Sequence, residues 1–498
     1  MIGKISILLD PKKESGESLI FFVFSDLIKK DQNLKLLDNK VKGFLQKKIN
    51  LHEFTGKEEQ ILNINPVNFY EQIVIVGAGK STDFTLDKFK NLLASALRML
   101  QKTKTTSVNL FCFDQLGKDH FEIGKNLSLA FYLANYEFSR FKSNKKNLQH
   151  QIKTLNFNID KQPAKQIEAG IEFGRLVAEG IYLTRDLVNE PASHQHSDSL
   201  VKIANEIVED SKGKITAEIL NKKDCQKLGM GAFLGVAQGS ERKPKFIILK
   251  YNNSPKSKKI CLIGKTVIFD SGGLSLKPSS SMEIMKIDMA GGATVLGIFK
   301  ILSKLDIKTS VIGILPACEN MPSGHAIRPG DVVTALDGQT IEVLNTDAEG
   351  RLTLADALAY TEKYLGPEII IDLATLTGAC IVALGKEITG LFGNNKQLIN
   401  DFEKISQKEG DHIWPLPMYE PYLKKMKSEI ADWKNTGGAG FGGAIIAALF
   451  LKEFVKKTKW LHLDIAGPAY SEETKGVVSK GGTGWGVVSL IEFIKKFS

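Results

Sequence analysis

Five short segments between Phe246 and Ala466 constrain this chain most: FIILKY, KICLIGK, VIGILPA, EIIIDLATL and WLHLDIA, each apolar at odd and even positions alike. A half-exposed strand alternates apolar with polar residues, so strands apolar on both faces belong in a sheet covered on both sides. Helical patterns, notably Ala293–Leu305 and Leu352–Tyr364, separate several of these runs. That alternation predicts an α/β domain with a mostly parallel central sheet flanked by helices. Sheets of this kind bind ligands beyond the carboxyl ends of their strands, so chemistry is sought in the residues that directly follow each run.

At 498 residues the chain exceeds the size at which one hydrophobic core stops growing, which predicts two domains. Residues 1–160 have their own α/β pattern: strand-like pieces at Lys4–Leu9, Leu19–Phe24, Glu71–Val76 and Ser107–Phe113, and helical ones at Leu86–Lys102 and Gly124–Glu137. The stretch from Asn144 to Lys165 then turns polar, with Lys145, Lys146, Asn147, Gln149, Gln151 and, near its end, Pro163. We place the boundary there, giving a smaller domain over 1–165 and a larger one over 166–498, entered through the helical stretch Gln166–Val188.

A hydrophobic content of 43% and a charged content of 24% are those of a soluble globular protein. The opening MIGKISILLDPKK lacks the apolar core and cleavage pattern of a signal peptide, and the longest apolar run, Ile369 to Gly385, carries Asp372, so no membrane association is expected. Five scattered cysteines without a CxxC pair argue against disulfides or a thiolate zinc site and place the chain in the cytoplasm. Of eight histidines only His194 and His196 lie close together, in the loop-like PASHQHSD; any metal must be held mainly by oxygen. Residues 1–160 hold 24 Lys and Arg against 17 Asp and Glu, a basic excess compatible with nucleic acid but scattered like an ordinary solvated surface.

Two glycine-rich segments imitate nucleotide-binding loops. Val76-Gly77-Ala78-Gly79-Lys80-Ser81 follows a strand but has Val74 where a phosphate loop needs its first glycine and Thr82 where a dinucleotide fingerprint needs its last. Gly438-Ala439-Gly440-Phe441-Gly442-Gly443 satisfies GxGxxG but follows no strand. The first reads as a strand-to-helix turn, the second as a flexible loop entering the helix Ala444–Val455.

Two other clusters carry chemistry. Asn345-Thr346-Asp347-Ala348-Glu349-Gly350-Arg351-Leu352 sets Asp347, Glu349 and Arg351 at alternate positions, which in an extended segment project to one side. About eighty residues upstream stand Lys265, Asp270, Lys277 and Asp288. Taken singly, an Asp after a strand reads as a helix cap; seven such residues in glycine-marked turns at strand ends read as one site. Four carboxylates in one pocket repel, and two divalent cations neutralise them in formal charge. Hard oxygen ligands suit Zn²⁺, Mn²⁺ or Mg²⁺, with Co²⁺ also admissible. Lys265 can ligate only when deprotonated, which a nearby cation favours. Lys277 would stay protonated and stabilise a developing oxyanion. Gly272 and Gly273 leave room for close backbone approach.

The segments GKTVIFDSGGLSLKP, MKIDMAGGATVLG, ENMPSGHAIRPGD and NTDAEGRL, followed by ATLTGAC, ADWKNTGG, HLDIAGPA and GGTGWGV, closely resemble blocks of the leucyl aminopeptidase (cytosol aminopeptidase) family over most of residues 175–498. The resemblance implies a metal-dependent aminopeptidase that removes an apolar first residue, leucine above all, from peptides with a free α-amine. Two metal ions would be bridged by Asp270 and Glu349. Lys265 and Asp288 would complete the tighter site, and Asp347 the more exchangeable one. Lys277 and Arg351 would be catalytic, Arg351 by holding a bicarbonate ion as general base. Met285, Thr375, Gly378 and Ala466 would line the pocket for the first side chain. The larger domain would be catalytic and the smaller, variable one would serve oligomerisation or regulation within a homohexamer. Many relatives have glycine where this chain has Thr266, a change that removes no ligand. Two other readings remain: a DNA-binding accessory protein acting through the basic N-terminal region, and a two-metal phosphoesterase sharing the same carboxylates.

Overall fold

The computed structural model describes residues 3–8, 17–65, 70–111, 116–144, 148–158, 164–252, 257–438 and 440–497. Expectations that rest on Leu9, Cys112, Phe113, Lys145, Lys146, Asn147, Pro163, Ala439 or the two ends of MIGKISILLDPKK lie outside the described residues. The chain divides into two compact units, Met1–Ala178 with Glu473–Ser479, and Glu179–Glu472 with Lys480–Ser498. The helix Ala164–Asn189 runs through the point of division.

The first unit is built on a six-stranded sheet of β1 (Lys4–Leu8), β2 (Ser18–Val23), β3 (Ile61–Ile64), β4 (Gln72–Gly77), β5 (Ser107–Phe111) and β6 (Thr154–Asn158). Their order is β1-β6-β5-β2-β4-β3, with every neighbour parallel except β3 against β4. β2 and β4 are buried along their whole length, which explains the uninterrupted apolar runs LIFFV and IVIV. The first glycine-rich segment is a strand-to-helix turn. A Cβ on Gly77 would lie 2.0 Å from the Lys57 carbonyl oxygen, so close backbone approach requires glycine there. Ser81, in the phosphate-loop position, instead donates its backbone N–H and hydroxyl to Asp26 at 2.9 and 2.6 Å.

The second unit holds a nine-stranded sheet. Its strands are β7 (Ile215–Asn221), β8 (Lys245–Tyr251), β9 (Lys259–Gly264), β10 (Thr266–Asp270) and β11 (Ser310–Asn320), then β14 (Ile369–Ala374), β15 (Thr389–Gly393), β16 (Ile413–Pro415) and β18 (Lys459–Asp464). The order is β16-β15-β18-β14-β9-β11-β8-β7, with β10 paired to β11. The central strands β18, β14, β9 and β11 are mutually parallel, as the apolar runs predict. β8, β7 and β15 run antiparallel to their inner neighbours, so the sheet is mixed at its edges. FIILKY on β8 could not reveal its direction, because burial of both faces sets its composition whichever way it runs. A small sheet of β12 (Asp331–Thr334), β13 (Thr340–Val343) and β17 (Trp433–Lys434) leads the chain into NTDAEGRL. No helix among the described residues is long and apolar enough to cross a membrane.

Two acids inside this core are held by protein partners. Asp372, in the otherwise apolar β14, lies opposite His462 on β18 and contacts His462 Nδ1 and Trp460 Nε1, each at 2.6 Å. Asp356, on the helix Gly350–Tyr360, accepts the N–H groups of Phe233 at 2.8 Å and Leu336 at 2.7 Å. It thereby ties the helix Gly231–Ala237 and the turn after β12 to the helix that carries Arg351.

Burial pushes the Asp356 carboxyl up to about 7 from its usual 3.8. A group whose folded pKa is raised binds a proton that the unfolded chain has released, so its stabilisation is lost as pH rises through the folded value. The unfolding midpoint of Asp356→Asn, which does not titrate, should therefore rise relative to that of the native chain as pH goes from about 4 to about 7 and hold level above that. Asp356→Ala, which strands two N–H groups, should lose about 2–4 kcal/mol by urea titration.

Candidate metal centre

β9 ends at Gly264 and β10 at Asp270, so Lys265 and Asp270 both project from carboxyl ends of strands in the central sheet. Asp288 closes the short turn Met285–Ile287 just before the helix Ala290–Leu302. Glycines let these elements converge. A Cβ on Gly264 would fall 2.5 Å from the Gly291 backbone, and one on Gly291 would fall 2.2 Å from the Leu373 carbonyl oxygen. Thr266 is fully buried and donates its hydroxyl to the Gly264 carbonyl at 2.7 Å, so it closes the turn without entering the site.

The NTDAEGRL segment differs from the expected extended strand. Residues 346 and 347 form a turn, Glu349 has helical dihedrals (φ −80°, ψ −36°), and Gly350 opens a helix with Arg351 in its first turn. Asp347 and Glu349 still converge, but through a turn that others hold in shape. The buried Asn435 receives the N–H groups of Leu344 and Asn345 at 2.9 and 3.2 Å and donates to the carbonyls of Asn345 and Ala348 at 2.6 and 3.3 Å. Gly350 is required by Lys265, whose Cε would sit 2.6 Å from a Cβ at that position.

The structure brings both clusters together. One carboxylate oxygen each from Asp270, Asp347 and Glu349 lie within 4.8 Å of one another. Lys265 Nζ contacts Asp288 Oδ1 and Glu349 Oε1 at 2.8 Å and donates to the Thr375 carbonyl at 2.9 Å. Lys277 Nζ lies 2.9 Å from Asp270 Oδ2 and 2.5 Å from Asp347 Oδ1. Asp347 and Lys277 are partly open to solvent, whereas Lys265, Asp270, Asp288 and Glu349 are buried. Asn320, at the end of β11, bridges the clusters by donating Nδ2 to Asp270 Oδ1 at 2.8 Å and to the Thr346 carbonyl at 3.0 Å. Sequence reasoning missed Asn320 and Asn435. Asn320 lies three residues past the apolar run VIGILPA, at the end of β11, so the strand-end rule that pointed to Asp270 finds it only when the strand is carried on to its true end.

Charge is unbalanced here. Burial, reinforced by neighbouring carboxylates, pushes Asp288 and Glu349 above the usual carboxylate range. Burial alone would lower Lys265, but Asp288, Glu349 and Asp270 outweigh it and hold the ammonium above its ordinary value. Asp288 Oδ2 and Glu349 Oε2, both buried, have no hydrogen-bond partner among the described residues. Carboxylates in excess of protein donors, with oxygens left over at the point of convergence, fit hard divalent cations.

The remaining expected residues surround this centre. Thr375 touches it, its Oγ1 donating to Asp288 Oδ1 at 2.7 Å. Met285 opens the turn that delivers Asp288, Gly378 is exposed at the start of the helix Gly378–Leu384, and Ala466 lies two residues beyond β18. Burial lowers the partly exposed Arg351 to about 10, and its Nε has no partner among the described residues. His196 stands apart from any such cluster and heads the helix Ser197–Asp210, its N–H bound to Ser199 Oγ at 2.9 Å.

The sequence profile of the cytosol aminopeptidase family's catalytic domain matches residues 182–491, and that of its N-terminal domain matches residues 20–145. A probable cytosol aminopeptidase of Gloeobacter violaceus is 42% identical over 98% of this chain and 99% of its own length. One from Nostoc punctiforme is 43% identical over 96% of each. Among solved structures, a mutant of tomato leucine aminopeptidase superposes with a TM-score of 0.90 at 36% identity, covering 99% of this chain and 97% of its own. The bottromycin maturation enzyme BotP in complex with Mn reaches a TM-score of 0.85 at 28% identity, covering 97% and 99%.

Asn320→Ala should weaken divalent-metal binding by about 10–100-fold with the fold retained, because it frees Asp270 from the turn that carries Asp347. Titration with Mn²⁺ followed by calorimetry checks this.

Proposed function

This chain belongs to the cytosol aminopeptidase family, and we propose that it is a two-metal aminopeptidase of leucyl type that removes an apolar first residue from peptides with a free α-amine. Family membership makes it a metal-dependent aminopeptidase. The leucine preference, the two-metal assignment and the bicarbonate are our reading. The observation that carries it is the convergence of Asp270, Asp347 and Glu349, with Asp288 and Glu349 each keeping a buried oxygen that has no donor among the described residues.

In this reading two divalent cations would be held by Asp270 and Glu349, which would be shared between them, by Lys265 and Asp288 at the tighter site and by Asp347 at the other. The greater exposure of Asp347 supports giving it the more exchangeable site. Two bound cations supply Lewis acidity and a water acidified toward neutral pH. They would also offset the carboxylate field that now holds the proton on Lys265. Lys277, held above its ordinary pKa by Asp270 and Asp347 against the effect of burial, remains a cation and is placed to stabilise the oxyanion that develops on the scissile carbonyl. Arg351, with its unpartnered Nε, would anchor the bicarbonate ion as general base. Thr375, Gly378, Ala466 and Met285 would shape the pocket for the first side chain, where methionine accommodates leucine-like groups. We extend the proposal to a homohexamer acting in the cytoplasm, on the strength of the family likeness.

Cleavage of Leu-p-nitroanilide but not its N-acetylated form, lost with EDTA and restored by Mn²⁺, Zn²⁺ or Co²⁺, is the expected result. Equal cleavage of both substrates, or indifference to chelation, would overturn the reading. Lys277→Ala should cut kcat by about 10²–10³ with metal retained, whereas Asp270→Ala should lose metal.

A further inference from the structure

Asp464, the last residue of β18, is fully buried and takes part in none of the contacts described so far. It lies opposite Ala374, the last residue of β14, so the two parallel strands end on the same rung. Beyond that rung, the last of the β14–β18 ladder, the chain leaving β14 turns through Thr375, Leu376 and Thr377 into the helix Gly378–Leu384. The Asp464 carboxylate holds that turn. Its Oδ1 accepts the N–H groups of Leu376, Ala466 and Thr377 at 3.2, 3.2 and 3.4 Å, and its Oδ2 accepts the Thr377 hydroxyl at 2.7 Å. Thr377 Oγ1 in turn accepts the Cys380 N–H at 3.1 Å and so caps the helix that Gly378 begins.

One carboxylate thus joins the two loops that carry Thr375, Gly378 and Ala466. The grip extends to the metal centre, because Thr375 donates to Asp288 and accepts from Lys265. Among the described residues nothing lies within 4 Å of where a Cβ on Gly378 would stand, so no side-chain packing fixes this position and the anchored backbone sets it. We infer that Asp464 is a positioning residue that sets the wall of the pocket for the substrate's first side chain and so determines which side chains are accepted. The inference rests on the aminopeptidase reading of this site. The role requires acceptance of the N–H groups at Oδ1 together with a hydrogen bond between the other head-group atom and the Thr377 hydroxyl. Asparagine can supply both, its amide donating to the Thr377 oxygen; alanine supplies neither.

The test measures kcat and KM of the full-length, Mn²⁺-loaded protein for Leu- and Ala-p-nitroanilide. In Asp464→Ala the ratio of the two kcat/KM values should fall by about tenfold or more toward the smaller substrate, mainly through a higher KM for the leucine substrate. Asp464→Asn should restore the native ratio to within about threefold. A ratio of this kind is unmoved by the fraction of protein that is folded, so a purely structural role would lower both activities in proportion, and that result overturns the inference. Should Asp464→Ala fail to fold, Thr377→Val removes the hydroxyl half of the grip: a shifted ratio supports the inference and an unchanged one overturns it. Failure of the native protein to cleave either substrate would overturn the aminopeptidase reading, and the pocket assignment with it.

Discussion

The placement of Lys265 and Lys277 among four carboxylates is the interaction on which the catalytic unit depends. Bringing Asp270, Asp288, Asp347 and Glu349 into one pocket, most of it closed to water, costs several kcal/mol per charge unless countercharge is built in. Two ammonium groups supply part of it. They reach the pocket because the parallel strands end together and because Gly264, Gly291 and Gly350 let backbone and side chains approach more closely than any other residue allows. Removing one lysine would leave carboxylates facing one another. Substituting one of these glycines would displace a lysine or the element beside it.

Precision is added by residues that touch no candidate metal position directly. Asn320 couples the end of β10 to the turn at Thr346, and Asn435 shapes that turn from its other side. Each uses a neutral amide, which both donates and accepts, where another charge would have added to the repulsion. The sheet below supplies a rigid platform, its central strands buried except near their ends and flanked by the antiparallel strands β8 and β15.

Much of this was legible in the sequence. The doubly apolar runs located the central strands, and the polar residues directly after them located Lys265 and Asp270. Strand direction at the edges was not legible, because β8 and β15 satisfy the same burial as their parallel neighbours. Nor was the local conformation of Asp347, Glu349 and Arg351. Alternate spacing suggested an extended segment, whereas a turn followed by a helix brings Asp347 and Glu349 together just as well and sends Arg351 along the helix. The supporting amides were hidden for a different reason. An asparagine in a loop has many ordinary uses, and only its partners reveal that it joins two distant segments.

Buried carboxylates do not by themselves mark a site, since Asp356, Asp372 and Asp464 are more deeply buried than Asp347. The difference lies in the supply of donors. Asp356 receives two backbone N–H groups, Asp372 an indole and an imidazole, and Asp464 three N–H groups and a hydroxyl, with both oxygens engaged in every case. Asp288 and Glu349 each leave one buried oxygen with no partner among the described residues, and both of them contact the same lysine. A folded chain keeps few such deficits, and two of them on neighbouring carboxylates are met when something outside the chain binds there. The shortage of donors, more than the number of charges, is what distinguishes this pocket from the structural carboxylates around it.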